Sequence, residues 1–246
     1  MGGAIRQNIE RVRERIERAA RRAGRNPDEV KIIAVTKGVE PAGIIEAIDA
    51  GIFDLGENRV QEMLGKQAAL KDMVNRPVNW HMIGHLQNNK VKYLAGSVSM
   101  IHSLDSMKLA REIDKKAEMA GKVMDVLVQV NVAEEETKFG LKKHEVLDFI
   151  KEISTCRNMK VRGLMAIAPY VENPEDARLV FRELRKLFID IGRKNIDNID
   201  MDYLSMGMSK DFEVAVEEGA NIVRIGTAIF GKRQVTHCLE RGDGTP

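Results

Sequence analysis

Eight short, strand-like runs recur along the chain, and their alternation with helical patterns limits its possible folds more than any other feature. Each run is rich in β-branched and apolar residues, as strands are. The runs cover residues 31–37, 53–58, 79–84, 98–104, 124–132, 160–168, 202–207 and 221–226. Strands that alternate with helices indicate βαβ units and a parallel sheet.

The helical patterns between these runs carry ordinary start and stop signals. Pro41 and Pro174 suit the first turn of a helix, and Asn173 is a predicted N-cap. The patterns occupy residues 41–50, 60–74, 88–95, 105–120, 144–155, 174–191 and 212–218. An extra amphipathic helix over residues 5–23 precedes the first strand. Its arginines are interrupted by glutamates, which favours a solvated face over a nucleic-acid surface.

The number and spacing of the strands favour a barrel over an open sheet. Eight strand–helix pairs in 246 residues match the size of a (β/α)8 barrel. The sequence lacks the G-x-G-x-x-G turn of an open dinucleotide-binding sheet, and Glu57 and Asn58 replace the Lys-Ser/Thr of a phosphate loop at residues 51–58. We predict one α/β domain over residues 1–233, a (β/α)8 TIM barrel with an extra N-terminal helix, and a disordered tail over 234–246.

Composition excludes several function classes. Hydrophobic residues make up 43% and charged residues 31%, as in globular proteins, and the net charge is only +2. No whole-protein field therefore favours nucleic acid or a membrane surface, and no apolar stretch is long enough to span a bilayer. The sequence begins without a secretory signal, and Cys156 and Cys238 do not form a metal-spaced pair. We expect a reduced, cytoplasmic protein.

Lys37 stands at the predicted end of the first strand. A (β/α)8 barrel carries its active site at the C-terminal ends of its strands, so the amine of Lys37 would reach the barrel mouth. A lysine in partly desolvated surroundings becomes a nucleophile toward carbonyl groups. A surface lysine just past a strand is the alternative, and its position alone does not decide between them.

The loops after the last two strands suggest a phosphate site. Ser205 follows strand seven, and Gly226 and Thr227 follow strand eight, where such barrels bind phosphate with hydroxyl and backbone N–H groups. Ser209 is as well explained as a cap of the following helix. A lysine opposite a phosphate cradle suits a phosphorylated aldehyde or ketone: pyridoxal phosphate, or a sugar phosphate in an aldolase.

Two other candidate sites are weaker. His81 and His85 have four-residue spacing, but they straddle the end of a strand and lack the other ligands of a zinc site. Tyr170, after strand six, is a candidate base, but a tyrosine in a Pro169-Tyr170 loop is more often a packing residue, and we interpret it as one. We predict no metal.

Longer blocks of sequence resemble a known family. The block WHMIGHLQNNKVKYL (80–94) resembles the signature of the pyridoxal phosphate homeostasis protein family, which is related to the N-terminal barrel of alanine racemase. The other blocks, in the family's order, are AVTKG (34–38), GENRVQE (56–62), KFGL (138–141), RGLMAIAP (162–169), LSMGMSKDFEVAVEEGAN (204–221) and VRIGTAIFG (223–231). The resemblance extends from the first helix to Arg233.

This resemblance implies a cofactor and most of its ligands. Pyridoxal 5′-phosphate would form a Schiff base with Lys37, and its phosphate would sit on Ser205 and the backbone around Gly226 and Thr227. Arg224 would face the pyridine nitrogen. Because arginine only donates hydrogen bonds, it would disfavour protonation of the ring and weaken the cofactor as an electron sink.

The resemblance also implies a pocket lined by Asn58, His81 and Met206. The chain departs from the family pattern at Gly38, where many relatives carry a larger residue, and this leaves the loop over the cofactor open to question. The substitution of Thr137 for a common serine has no consequence that we can argue.

Three functions follow from these features. The first is a carrier that holds pyridoxal phosphate on Lys37 and supplies it transiently to apo-enzymes, without catalytic turnover. Its motivation is that the sequence ends soon after Gly226, so we expect no second domain with the tyrosine base that racemases of this type use. The alternatives are an amino-acid racemase with a second base inside the barrel, and a sugar-phosphate aldolase. We expect a monomer or a weak dimer.

Overall fold

Eight parallel strands close into a barrel in their sequence order. The protein is described by a computed structural model over residues 3–231. The strands are β1 (Lys31–Val35), β2 (Asp54–Glu57), β3 (Asn79–Met82), β4 (Met100–Leu104), β5 (Met124–Gln129), β6 (Met159–Met165), β7 (Ile199–Met208) and β8 (Ile222–Ile225). The first and last strands pair to close the barrel, with Ile33 beside Arg224. The predicted (β/α)8 architecture is confirmed.

Helices follow most of the strands and form the outer layer. The α-helices are α1 (Ala4–Arg22), α2 (Pro41–Asp49), α3 (Val60–Leu70), α4 (Met107–Met119), α5 (Val146–Ile153), α6 (Arg178–Gly192), α7 (Phe212–Glu217) and α8 (Thr227–Phe230). Short 3-10 helices lie at Pro27–Glu29, Asn88–Tyr93, Lys143–Glu145 and Pro174–Ala177. As predicted, Pro41 begins a helix, and the Asn173 side chain accepts the N–H of Glu175 at 3.2 Å.

The helix predicted over residues 88–95 is wrong in type. The segment forms a 3-10 helix with i to i−3 hydrogen bonds, for example from Leu94 N–H to the carbonyl of Val91. Its two buried apolar residues, Val91 and Leu94, stand three positions apart, which matches the period of a 3-10 helix. Gly96 then takes a positive φ of 92° and ends the segment.

Two further features near the barrel mouth differ from prediction: the end of β1 and the presence of α8. β1 ends at Val35, so Lys37 lies in the loop beyond the strand. The four-residue helix α8 was not predicted, because a single turn is too short to show a helical period. Its first residue is Thr227, which changes that residue from a loop position to a helix N-terminus.

The N-terminal helix α1 packs its apolar face, including Ile9 and Val12, against α7 and α8. The Asn8 side chain donates to the carbonyl of Ile229 at 2.9 Å. Arg22 of α1 also pairs with Glu217 of α7 at 2.7 Å, so charge adds to this contact. The predicted amphipathic helix is therefore confirmed, and it buttresses the end of the chain that carries α8.

The barrel interior is more polar than the layer outside it. Side chains alternate along a strand, so Ile101 of β4 faces the outer core while Met100 and His102 face inward. The interior contains a small apolar cluster of Met100, Leu127 and Met165. Buried polar side chains, among them His102, Ser205 and Arg224, share the interior with this cluster. This polar interior underlies the cavity described next.

Two predictions concern the limits of the chain. The predicted domain boundary at residue 233 and the tail 234–246 lie outside the described residues, so both stay predictions.

Over residues 3–231, no helix combines the length and the apolar character needed to cross a membrane.

Candidate functional site

A cavity of about 500 Å³ opens at the C-terminal ends of the strands. This volume falls within the range of small-molecule sites, and the position is that of barrel active sites. The predicted residues that line the cavity are Lys37, Asn58, Arg224, Gly226 and Thr227, and the lining also includes Lys138, Tyr170, Ser209 and Asp211.

The backbone on both sides of Lys37 is held by α3. Gly38 has a φ of 65°, and its N–H donates to Glu62 Oε1 at 2.5 Å. Lys66 Nζ donates to the carbonyl of Thr36 at 2.5 Å. A side chain at position 38 would be strained in this left-handed conformation, which gives a physical reason for the glycine there. Lys37 is thereby presented on a fixed loop.

A buried ion cluster stands behind this loop. Lys66 Nζ lies 2.6 Å from Glu57 Oε1 and 2.7 Å from Glu62 Oε1. The hydroxyl of Thr36 donates to the same Glu57 oxygen at 2.5 Å. Sequence reasoning missed this cluster. The available signal was the four-residue spacing of Glu62 and Lys66, which places them on one face of α3.

Ser209 joins the two loops that were expected to bind phosphate. Its Oγ accepts the N–H groups of Gly226 and Ala228, each at 3.2 Å. Gly226 is the N-cap of α8, so this serine faces a helix N-terminus, where N–H groups attract anions. The interpretation of Ser209 as a cap of the following helix is wrong.

Asp211 occupies the capping position of α7 in place of Ser209. It is the N-cap residue, and its Oδ1 accepts the N–H of Met208 at 2.6 Å. Burial raises the pKa of this carboxyl above its ordinary value, although Met208 N–H and Arg224 oppose the shift. The sequence carried a signal for this assignment, since Asp211 directly precedes the apolar residue Phe212.

Three predicted residues lie away from the cavity. Ser205 is fully buried inside the barrel, where its Oγ accepts from Arg224 Nη1 at 2.6 Å. Met206, the next residue on β7, faces the outer core. His81 hydrogen-bonds with Asp54 near the start of β2, at the opposite end of the strands. Ser205 and His81 face the interior below the cavity, whereas Met206 faces outward because side chains alternate along β7, so their predicted contacts with the cofactor do not agree with this geometry.

Arg224 forms part of the cavity wall and is only 3% exposed. It donates to Ser205 Oγ at 2.6 Å and to the carbonyl of Ala166 at 2.8 Å. Burial lowers the pKa of Arg224 to about 10, with Asp211 opposing the shift. The guanidinium is therefore charged at neutral pH and acts only as a hydrogen-bond donor.

Asn58 reaches the cavity because two backbones meet behind it. A Cβ atom on Gly84 would lie 2.5 Å from the carbonyl oxygen of Asn58, so only glycine permits this approach. The loop after β3 thus packs directly on the loop after β2. The predicted place of Asn58 at the pocket agrees with the lining of the cavity.

The remaining candidates take other positions. Within the described part of the chain, no group of three His, Cys, Asp or Glu residues could hold a metal ion. His85 stacks on Phe139 with 3.8 Å between ring centroids, whereas His81 lies inside the barrel. Tyr170 is 80% exposed at the cavity, where its hydroxyl contacts Lys210 Nζ at 2.6 Å, so its predicted packing role is wrong.

The fold and the cavity first define a class. The sequence model described as "Alanine racemase, N-terminal domain" matches residues 4–234. An alanine racemase of Clostridium difficile superposes with a TM-score of 0.70 at 14% identity, covering 95% of this chain and 58% of that one. At this identity the similarity shows the shared barrel alone.

Relatives of higher identity show which family within this class the chain belongs to. The protein named "Pyridoxal phosphate homeostasis protein" of Aquifex aeolicus is 50% identical over 93% of this chain and 98% of its own length. The structure of PipY from Synechococcus elongatus, described as having PLP bound, is 34% identical with a TM-score of 0.77, covering 88% of this chain and 100% of that one. The chain belongs to the pyridoxal phosphate homeostasis protein family, as the sequence blocks predicted.

Proposed function

We propose that this protein binds pyridoxal 5′-phosphate in the cavity at the barrel mouth and acts in homeostasis of that cofactor. One observation carries the proposal: Lys37 lines the same cavity as the Ser209–Gly226–Ala228 cradle and the buried guanidinium of Arg224. An amine, an anion cradle and a fixed donor are what an aldehyde, a phosphate and a pyridine nitrogen each require. The names of the relatives and the PLP described for PipY support the same conclusion.

The residues present fit the group. The phosphate would be held by the Ser209 hydroxyl, the Thr227 side chain and backbone N–H groups at the start of α8. Ser209 takes the place that the sequence assigned to Ser205, which is buried beneath Arg224. Asn58 completes the wall beside Lys37.

The protein's own groups would hold the cofactor more than drive chemistry on it. When bound, pyridoxal phosphate supplies a reactive aldehyde and a ring that can accept electrons. Lys37 would supply the amine that holds the aldehyde as a Schiff base. Arg224 can donate to the ring nitrogen but cannot receive a proton from it, so it disfavours the protonated ring that strong electron withdrawal needs. This suits a carrier without catalytic turnover.

The first test is the identity of the lysine. We expect borohydride reduction of the protein with pyridoxal phosphate to leave a pyridoxyl group on Lys37, detected by peptide mass spectrometry, with a visible absorption band before reduction. Lys37→Ala should lose both signals. Lys138→Ala is the matched control, because it removes another lysine of the same cavity and should keep both.

The outcome also separates the candidates. Labelling of Lys138 in place of Lys37, or an unchanged band in Lys37→Ala, would contradict the proposal. Trapping of triose phosphates but never of pyridoxal phosphate would support the aldolase.

An amino-acid racemase is the second candidate. The observation that favours it is the exposed hydroxyl of Tyr170 at the cavity, which offers a second acid/base group besides Lys37. Appearance of solvent deuterium at the α-carbon of an added amino acid would support this activity. Absence of exchange in the holo-protein would remove it.

Carrier function predicts transfer to other proteins. The holo-protein should restore the activity of an apo pyridoxal-phosphate enzyme within hours, and lack of transfer over that time would count against a carrier. The transient contact with apo-enzymes, the cytoplasmic location, the monomeric or weakly dimeric state and the single domain over residues 1–233 stay predictions.

A further inference from the structure

Behind the cavity, a hydrogen-bonded series of polar side chains, buried except for the partly buried Asp54, crosses the barrel from β8 to β2. Arg224 Nη1 lies 2.6 Å from Ser205 Oγ, which lies 3.2 Å from His102 Nδ1. His102 Nε2 lies 3.1 Å from His81 Nδ1. His81 Nε2 lies 3.0 Å from Asp54 Oδ1, beside the start of β2. Five side chains from five strands thus form one continuous chain of hydrogen bonds.

With both histidines neutral, the chemistry of the two ends fixes the direction of the protons. Arg224 can only donate, so Ser205 accepts from it and its own proton is free for His102 Nδ1. His102 then carries its proton on Nε2 and donates to His81 Nδ1. His81 in turn carries its proton on Nε2 and donates to Asp54, whose carboxylate can only accept. Each group is therefore either the hydrogen-bond donor or the acceptor toward each of its neighbours.

Burial keeps His102 neutral. Burial, reinforced by the nearby cations Arg224 and Lys31, holds the pKa of His102 well below its ordinary value. Burial alone raises the pKa of Asp54, but the His81 hydrogen bond and Lys31, at 3.5 Å, outweigh it and lower that pKa. The chain thus has a cation at the cavity end and an anion at the other.

We propose that His102 and His81 are positioning residues for Arg224, because they hold Ser205 with its oxygen toward the guanidinium and its proton directed away. With Nη1 held by Ser205 and Nη2 held by the carbonyl of Ala166, the guanidinium has one orientation at the cavity wall. The part of the proposal that concerns the pyridine ring rests on the proposed function. The chain of hydrogen bonds itself does not depend on any ligand.

The ring nitrogens of the histidines test the chain directly. In the full-length protein labelled with nitrogen-15 histidine, we expect His102 and His81 each to be neutral, with Nε2 protonated and Nδ1 bare, with and without pyridoxal phosphate. A rival arrangement has a doubly protonated His81, which forces the proton of His102 onto Nδ1. Detection of that proton, or of a charged His102, would overturn the proposal.

Substitutions on β4 test the effect on Arg224. His102→Phe removes both hydrogen bonds, His102→Asn can still accept from Ser205, and Ser103→Ala removes a neighbouring buried hydroxyl that has no partner among the described residues. We expect His102→Phe to shift the absorption maximum of bound pyridoxal phosphate and to raise its dissociation constant about tenfold. His102→Asn should stay within about threefold of the wild type, as should Ser103→Ala.

The outcomes separate this proposal from the proposed function. Equal spectral shifts in His102→Phe and Ser103→Ala would indicate a general disturbance of the core and would overturn the positioning role, as would no shift in His102→Phe. If His102→Phe does not fold, His102→Asn and the wild-type histidine spectra still decide. If the wild type binds no pyridoxal phosphate, the proposed function fails, whereas the histidine spectra still confirm or overturn the chain.

Discussion

At the scale of single residues, Ser209 shows what spacing can and cannot locate. The sequence indicated phosphate-binding loops after strands seven and eight, and a cavity does lie there. The pattern favoured Ser205 over Ser209 for the phosphate, because Ser209 was as well explained as a cap of the following helix. Ser205 is inside the barrel, whereas Ser209 receives the N–H groups of Gly226 and Ala228. Depth along a strand depends on the tilt and register of its neighbours, which local pattern does not contain.

This assignment predicts the effect of removing one hydroxyl. Ser209→Ala should raise the dissociation constant of pyridoxal phosphate roughly tenfold to a hundredfold, because a hydrogen bond to a charged group is worth about 1.5–3 kcal/mol. Titration followed by visible absorption measures the change. Ser103→Ala serves as the control. Wild-type affinity in Ser209→Ala would exclude this serine from the phosphate site.

Lys37 and Arg224 were located more easily than the serine. Each belongs to a strand-like run that ends at the barrel mouth, and each carries a charge whose chemistry narrows its role. The hydrogen-bond chain through His102 could not be predicted, because its members come from five strands whose side-chain depths become comparable only in the closed barrel.

At the scale of elements, the cradle lies in the loop before α7 and at the start of α8, and α7 is tied to its neighbours by charge. Arg178, at the start of α6, contacts Glu217 at 2.6 Å and Glu218 at 2.9 Å. Burial raises the pKa values of both carboxyls, but the hydrogen bonds and charges of their arginine partners outweigh it, so both lie below the ordinary value. These ion pairs fix the end of the helix that follows the Ser209 loop.

The lowered pKa values give this network a pH dependence of known sign. Carboxyls with a depressed folded-state pKa stabilise the fold above their unfolded pKa of about 4.3 and lose that contribution as pH falls through the folded value. Arg178→Met should therefore cost about 1–3 kcal/mol of unfolding free energy at pH 7 and less at pH 3. Urea unfolding at both pH values measures this. An equal loss at the two pH values would show that packing of Arg178, and not its charge, is responsible.

Elements were predicted well where their pattern was long. All eight strands and the amphipathic α1 appear where the pattern placed them, to within a few residues. The failures were the short elements, Asn88–Tyr93 and α8, in which a single turn or a period of three replaces the usual helical period. Such turns are set by the loops that they join more than by their own residues.

At the scale of the whole molecule, bound cofactor should stabilise the closed barrel. Lys37 follows β1, and the cradle lies at the end of β8, so a ligand held at both ends bridges the strands that complete the ring. At a hundredfold excess over the dissociation constant, a ligand that binds only the folded state adds about 2.7 kcal/mol. For a chain of this length we expect a rise in Tm of roughly 5–10 °C, measured by calorimetry.

One control variant makes this rise informative. Lys37→Ala should show a much smaller rise with pyridoxal phosphate, because the attachment to β1 is lost. The same rise in this variant would show that the ligand does not bridge the two strands.

The pairing of β1 with β8 also has a consequence for synthesis. Lys31 pairs with Ile222 and Ile33 with Arg224, so residues nearly 200 positions apart stand side by side. During synthesis Lys37 is therefore made nearly 200 residues before the arginine and the cradle that would complete the site. Until those later residues are added, the amine stands without the rest of its pocket.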